Sequence, residues 1–136
     1  MLNSAMDRYV IYNSEHRVLI CKSHKCGITP RRLKVHLWND HAELSLQTRK
    51  EICDHASNLD MVIPDQVTVF MERTAAIPGL AILDGFCCLF EGCGFLAGTE
   101  GVMKKHVREH GREKEGYKKV KMQTFFQGNY TRYHKV

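Results

Sequence analysis

The fold is decided by Cys88-Leu-Phe-Glu-Gly-Cys93 together with the downstream stretch Thr99-Glu-Gly-Val-Met103-Lys-Lys-His106-Val-Arg-Glu-His110. The spacing is C-x4-C-x12-H-x3-H, which fits a C₂H₂ zinc finger. Two thiolates on a tight knuckle bind one side of an ion. Two imidazoles one helical turn apart meet it from the other side, because i and i+4 share a helix face. Thr99 is the expected N-cap, Glu100 suits the positive helix start, and Gly111 is the expected C-terminal stop. Val102, Met103 and Val107 supply the apolar positions. Ala97 stands where such fingers carry an aromatic, so Phe90 or Phe95 is expected to rebuild the small core. Cys87 adjoins Cys88, but neighbours on a strand face opposite ways, so only Cys88 is assigned to the ion. Upstream, Asp84-Gly85 reads as a two-residue hairpin turn between Leu80–Leu83 and Phe86–Leu89.

A second Cys/His set lies earlier. Cys21, Cys26, His36 and His41 have the spacing C-x4-C-x9-H-x4-H, short between the pairs. Arg17-Val-Leu-Ile reads as a strand entering the knuckle. Thr29-Pro30 reads as N-cap and first helical residue, with the helix continuing to His41 and presenting Leu33, Leu37 and Trp38. His24, inside the knuckle, competes as a ligand but reads as a solvated loop residue. The expected cofactor is therefore Zn²⁺, two ions per chain, held by Cys21, Cys26, His36 and His41 and by Cys88, Cys93, His106 and His110.

Beyond the two knuckles, Ser45 caps a helix over Leu46–Leu59 with Leu46, Ile52, Ala56 and Leu59 buried. Cys53 and His55 read as an unliganded thiol and a surface histidine. Val67-Thr-Val-Phe-Met71 reads as a short strand between Pro64 and Pro78. Val120–Phe126 and Tyr130–Val136 read as two strands joined near Gly128-Asn129. The fold class expected is α+β: one compact, zinc-stabilised unit over 1–136. Within it lie two ββα-like fingers (15–44 and 80–111), a helix (45–60), a connecting segment (61–79) and a basic, aromatic-rich C-terminal hairpin (112–136). Either finger alone has too few apolar residues for its own core, and Trp38, Phe70, Phe125 and Phe126 need burial.

Length and composition narrow the function classes. A chain of 136 residues excludes large catalytic barrels. With 43% hydrophobic and 26% charged residues, the chain belongs with folded proteins and not with disordered tails. No apolar run approaches the roughly 18 residues of a membrane span. The N-terminus lacks the apolar run of a secretory signal, so an intracellular, reducing and nuclear setting is expected, with metal binding in preference to disulfides. Charge is uneven. Residues 1–103 hold ten Lys/Arg and twelve Asp/Glu, net −2; residues 104–136 hold ten and three, net +7. The basic end points to phosphates or an acidic partner.

The chain resembles the fungal orsellinic acid biosynthesis cluster protein D family. The likeness runs from about Arg17 to Val136. It rests on the early knuckle with His36-Leu37 to His41, on Ser45-Leu46 and Arg49-Lys-Glu-Ile52, on Ile77-Pro-Gly-Leu80, on the second Cys/His set, and on Val120 and Gln123-Thr-Phe-Phe126. The resemblance implies zinc-finger-like domains, often within longer fungal proteins, and names no activity. The x4 gap of the first knuckle departs from the two-residue gap of relatives.

Nucleic acid or chromatin is the expected partner, and a protein partner is the alternative. No membrane, small-molecule substrate or catalytic residue is expected, since four protein ligands leave zinc no open position. Finger positions −1, 3 and 6 fall on Thr99, Val102 and Lys105 in the second finger, a poor base-reading set, and on Thr29, Arg32 and Val35 in the first. With 46 residues between His41 and Cys88, groove tracking is not expected. The assigned contacts are instead Arg31, Arg32, Lys104, Lys105, Arg108, Lys118, Lys119 and Lys121, mainly to phosphate.

Overall fold

Val18-Leu-Ile-Cys21 is apolar at every position, and a strand of that kind must be covered on both faces. In the computed structural model, which describes residues 4–66, 73–111 and 116–136, it is strand β2 and all four residues are buried. β1 (Val10–Asn13) and β3 (Cys26–Ile28) flank it, giving an antiparallel sheet in the order β1-β2-β3. Leu19 and Cys21 face a core built from α1 (Ser4–Tyr9), α2 (Leu33–Asp40) and α3 (Leu46–Ala56), with Met6, Leu37 and Ile52 at its centre. On β3, the Gly27 N–H donates to the Phe125 carbonyl at 2.7 Å. A Cβ at Gly27 would collide with that carbonyl, so glycine is needed for the close approach.

The helix ends follow local chemistry. Ser45 Oγ accepts from the Thr48 N–H at 3.1 Å, so the expected cap forms and α3 starts at Leu46. Leu46, expected inside, is exposed, while Ile52 and Ala56 are buried. α2 starts later than expected. The Arg32 N–H donates to the Thr29 carbonyl, so Thr29-Pro30 makes a turn before the helix and is not its cap.

Where the sequence reading set a single unit over 1–136, the chain divides into two: Met1–Thr68 with Phe125–Thr131, and Val69–Thr124 with Arg132–Val136. The second unit is built on β4 (Leu83–Cys88), which lies between β5 (Leu96–Ala97) and β6 (Tyr117–Thr124); β7 (Tyr133–Lys135) pairs with β6 in the order β5-β4-β6-β7. α4 (Glu100–Arg108) packs on β4 and β5. Asp84-Gly85 is not a turn. It sits inside β4, opposite Lys121 and Val120. A Cβ on Gly85 would meet the end of the Met122 side chain, so the glycine leaves that side chain its room in the sheet. Gln123, fully buried, donates from Nε2 to the Ile77 and Leu80 carbonyls, both at 3.1 Å, and accepts from the Ile77 N–H at 2.8 Å. One amide thus fastens Ile77-Pro-Gly-Leu80 to β6. The C-terminal strands pair as expected, but the connection is longer than a tight turn and includes a 3-10 turn at Gly128–Tyr130. The strand expected over Val67–Met71, including Phe70, lies outside the described residues.

The described residues thus form a mixed helix and sheet structure, and no helix among them is long and apolar enough to cross a membrane. None of the six cysteines is in a disulfide.

Candidate metal centres

Two groups of four Cys/His donors converge among the described residues, each with its donor atoms within 4.8 Å of one another. Cys88, Cys93, His106 and His110 form the group in the second unit. β4 delivers Cys88 at its last position, where the Cys88 N–H donates to the Phe95 carbonyl at 2.9 Å. Cys93 follows on a knuckle whose flanking Gly92 and Gly94 have φ of +77° and +66°, a region that favours glycine. Thr99 Oγ1 accepts from the Val102 N–H and starts α4. His106 lies in that helix, and His110 one residue past its cap. Their Nε2 atoms are 3.1 Å apart, and Cys93 Sγ is 3.1 Å from His106 Nε2.

The small core here is rebuilt differently from the expectation. Phe86 and Tyr117, not Phe90 or Phe95, pack on Cys88, Ala97, Met103 and Val107. Phe95 stacks on His106 and Phe90 on His110, each with ring centroids 4.1 Å apart, which fixes the two imidazole planes. Val102 is 53% exposed and adds nothing to that core. Cys87 is buried outside the group, its thiol donating to the Cys88 carbonyl at 3.5 Å. Burial pushes the Cys88 thiol pKa up, the Phe90 N–H opposes, and Cys93 raises it further. A cation is what would hold it as a thiolate.

In the first unit the group is Cys21, His24, His36 and His41. His24 stands where Cys26 was expected. Cys21 ends β2, His24 sits on the turn after it, His36 lies in α2, and His41 caps that helix. Cys21 Sγ is 3.2 Å from His24 Nδ1 and 3.4 Å from His41 Nε2; His41 Nε2 is 3.1 Å from His36 Nε2. Cys26 is half-buried opposite Cys21 on β3, outside the four. Burial, then the charges of Cys21 and Asp40, raises its thiol pKa.

Two carboxylates missed in the sequence complete this centre. His36 Nδ1 pairs with Asp40 Oδ2 and His41 Nδ1 with Glu43 Oε1, each at 3.2 Å. A carboxylate partner keeps the proton on Nδ1 and leaves a lone pair on Nε2. Two lone pairs then face each other across 3.1 Å. That is repulsive without a cation between them. Burial, aided by His41 and His24 and opposed by Asp40, also lowers the His36 pKa, favouring the neutral ring. A tetrahedral zinc, with bonds of about 2.0–2.3 Å, spaces its donors roughly 3.3–3.8 Å apart. The separations of 3.1, 3.2 and 3.4 Å here are slightly shorter than that, and with all four donors within 4.8 Å of one another the set is close enough for one ion to bridge.

The assigned contact residues fall in both units. Arg31 and Arg32 are exposed before α2; Lys104, Lys105 and Arg108 are exposed on α4, and Lys118, Lys119 and Lys121 on β6. Lys104 pairs with Glu100 at 3.0 Å, and Lys121 pairs with Asp84. Lys104 and Arg108 border a cavity of about 210 Å³ with Val107 and Tyr117.

Comparison with known proteins adds the family. A profile described as "Orsellinic acid/F9775 biosynthesis cluster protein D" matches residues 8–112. The protein of that description from Emericella nidulans is 31% identical over 127 residues, which cover 92% of this chain and 25% of that protein. The chain thus spans about a quarter of the relative's length. No solved structure matches. Matched over most of its length, this chain belongs to the orsellinic acid/F9775 biosynthesis cluster protein D family.

Proposed function

We propose that the chain is a non-catalytic zinc module whose two centres staple two C₂H₂-type, ββα-like units. The observation that carries this reading is the opposed Nε2 pair in each centre, 3.1 Å apart in both. All four donors in each group come from protein side chains, so zinc has no open place for water or substrate. The β4, β5, α4 order in the second unit and the β2, β3, α2 order in the first support the finger reading. Chelation of the 136-residue chain should abolish its native circular dichroism, and zinc should restore it. An unchanged spectrum after complete zinc removal would refute the structural role.

For the partner, we propose nucleic acid or chromatin, in the nucleus, held through phosphates. Thr99 already caps α4 and Val102 offers no polar atom, which leaves the second finger little with which to read bases. Lys105, Arg108, Lys118 and Lys119 supply exposed charge; Lys104 pairs with Glu100 and Lys121 with Asp84. Replacing Lys118, Lys119 and Lys121 with alanine should lower the log–log salt slope on duplex DNA by roughly 0.9 for each phosphate no longer neutralised, and alike on unrelated sequences. Failure of the wild-type protein to bind DNA at low salt would reject this partner. A protein partner is the second reading, favoured by the exposure of Leu89, Phe90 and Phe95 around one centre.

A further inference from the structure

Beside the four donors of the first centre stands a further thiol, Cys26. Cys21 and Cys26 are direct partners across the β2–β3 ladder, and opposed residues of an antiparallel pair project from the same face. Their Cβ atoms are therefore within about 5.5 Å. The turn between them carries His24 and closes through the Lys25 N–H donating to the Cys21 carbonyl at 2.8 Å. Of the five donors, His24 alone is exposed and sits on a turn; Cys21 and His41 are buried, and Cys26 and His36 half-buried. Charge favours this arrangement. One thiolate on Zn²⁺ leaves +1 beside the Asp40 and Glu43 carboxylates, so a second thiolate adds negative charge next to two acidic groups.

Building on the zinc reading above, we propose that Cys26 is a reserve ligand of the first centre, taking the place of His24 when that exposed imidazole leaves. With an ion bound, His24 would release its ring nitrogen, Cys26 would supply a thiolate sulfur in its place, and the thiol proton would pass to solvent. A one-thiolate, three-imidazole set becomes a two-thiolate, two-imidazole set. The centre can thus give up its surface ligand, to solvent or to a competitor for that imidazole, without giving up its ion.

The test uses the full chain loaded with Co²⁺, whose near-ultraviolet thiolate-to-metal band reports the number of bound sulfurs. Wild type should take two cobalt ions with three thiolates in all, one in the first centre and two in the second. His24→Ala should keep two ions, and its band should grow by roughly one third, as a fourth thiolate joins the three. Cys26→Ala should match wild type, and the double variant should fall to one ion. The band from the second centre serves as a folding control in every variant. His24→Ala retaining one ion, or two with an unchanged band, would overturn the proposal. So would loss of an ion in Cys26→Ala alone, which would make Cys26 the resident ligand. Fewer than two ions in wild type would instead overturn the two-centre reading, and the proposal with it.

Discussion

At the scale of single residues, the two centres hold their imidazoles by different means. Asp40 and Glu43 fix His36 and His41 by charge; Phe90 and Phe95 fix His110 and His106 by stacking. Carboxylates behind metal-bound histidines typically contribute 10–100-fold to affinity. Asp40→Asn should therefore weaken metal binding at the first centre by about that factor and leave the second unchanged, as read by chelator competition. Equal weakening at both would contradict the assignment. Acid should release the metal, because protons compete for the same lone pairs. Burial of His36 acts in the same direction: its pKa lies below the ordinary value in the folded state, so the unfolded chain takes up the proton first as pH falls. The stability it contributes is present above about pH 6.5 and is lost on acidification. Thermal unfolding of the zinc-loaded protein across pH 5–8 checks this; stability rising toward pH 5 would contradict it.

At the scale of elements, part of the structure was legible in the sequence and part was not. The Cys88–His110 group was legible because its donors sit on one knuckle and one helix face, both local in the chain. Ser45 and Thr99 were legible as caps for the same reason. His24 carried a signal as well: Cys21-x2-His24-x11-His36 is a more regular finger spacing than one running through Cys26. Its place on a polar loop made it read as a solvated residue instead. Asp84-Gly85 misled because its glycine answers a long-range approach to Met122, which no local pattern encodes. Gln123 was unreadable on the same ground, its partners lying more than 40 residues away. Gln123→Leu should leave the Ile77 N–H and the two carbonyls without partners and destabilise the second unit by about 1–3 kcal/mol. Denaturant titration of the zinc-loaded protein measures it; a neutral result would mean that the amide does not hold that segment. Ser45→Ala should cost about 1 kcal/mol in the first unit by the same measurement.

At the scale of the whole molecule, each unit pairs a small sheet with a Cys/His group at the end of a strand and a helix. Units this small bury little surface, and a structural zinc contributes on the order of 10 kcal/mol, comparable with the full stability of an ordinary domain. The ions are therefore expected to be part of the fold. The most direct test is the zinc content of the 136-residue chain purified without added chelator. Two zinc ions per chain are expected, falling to one in Cys88→Ser and to one in the Cys26→Ala, His41→Ala double variant. A wild-type value of one would remove one centre, and a value near zero would contradict a zinc-stapled fold altogether.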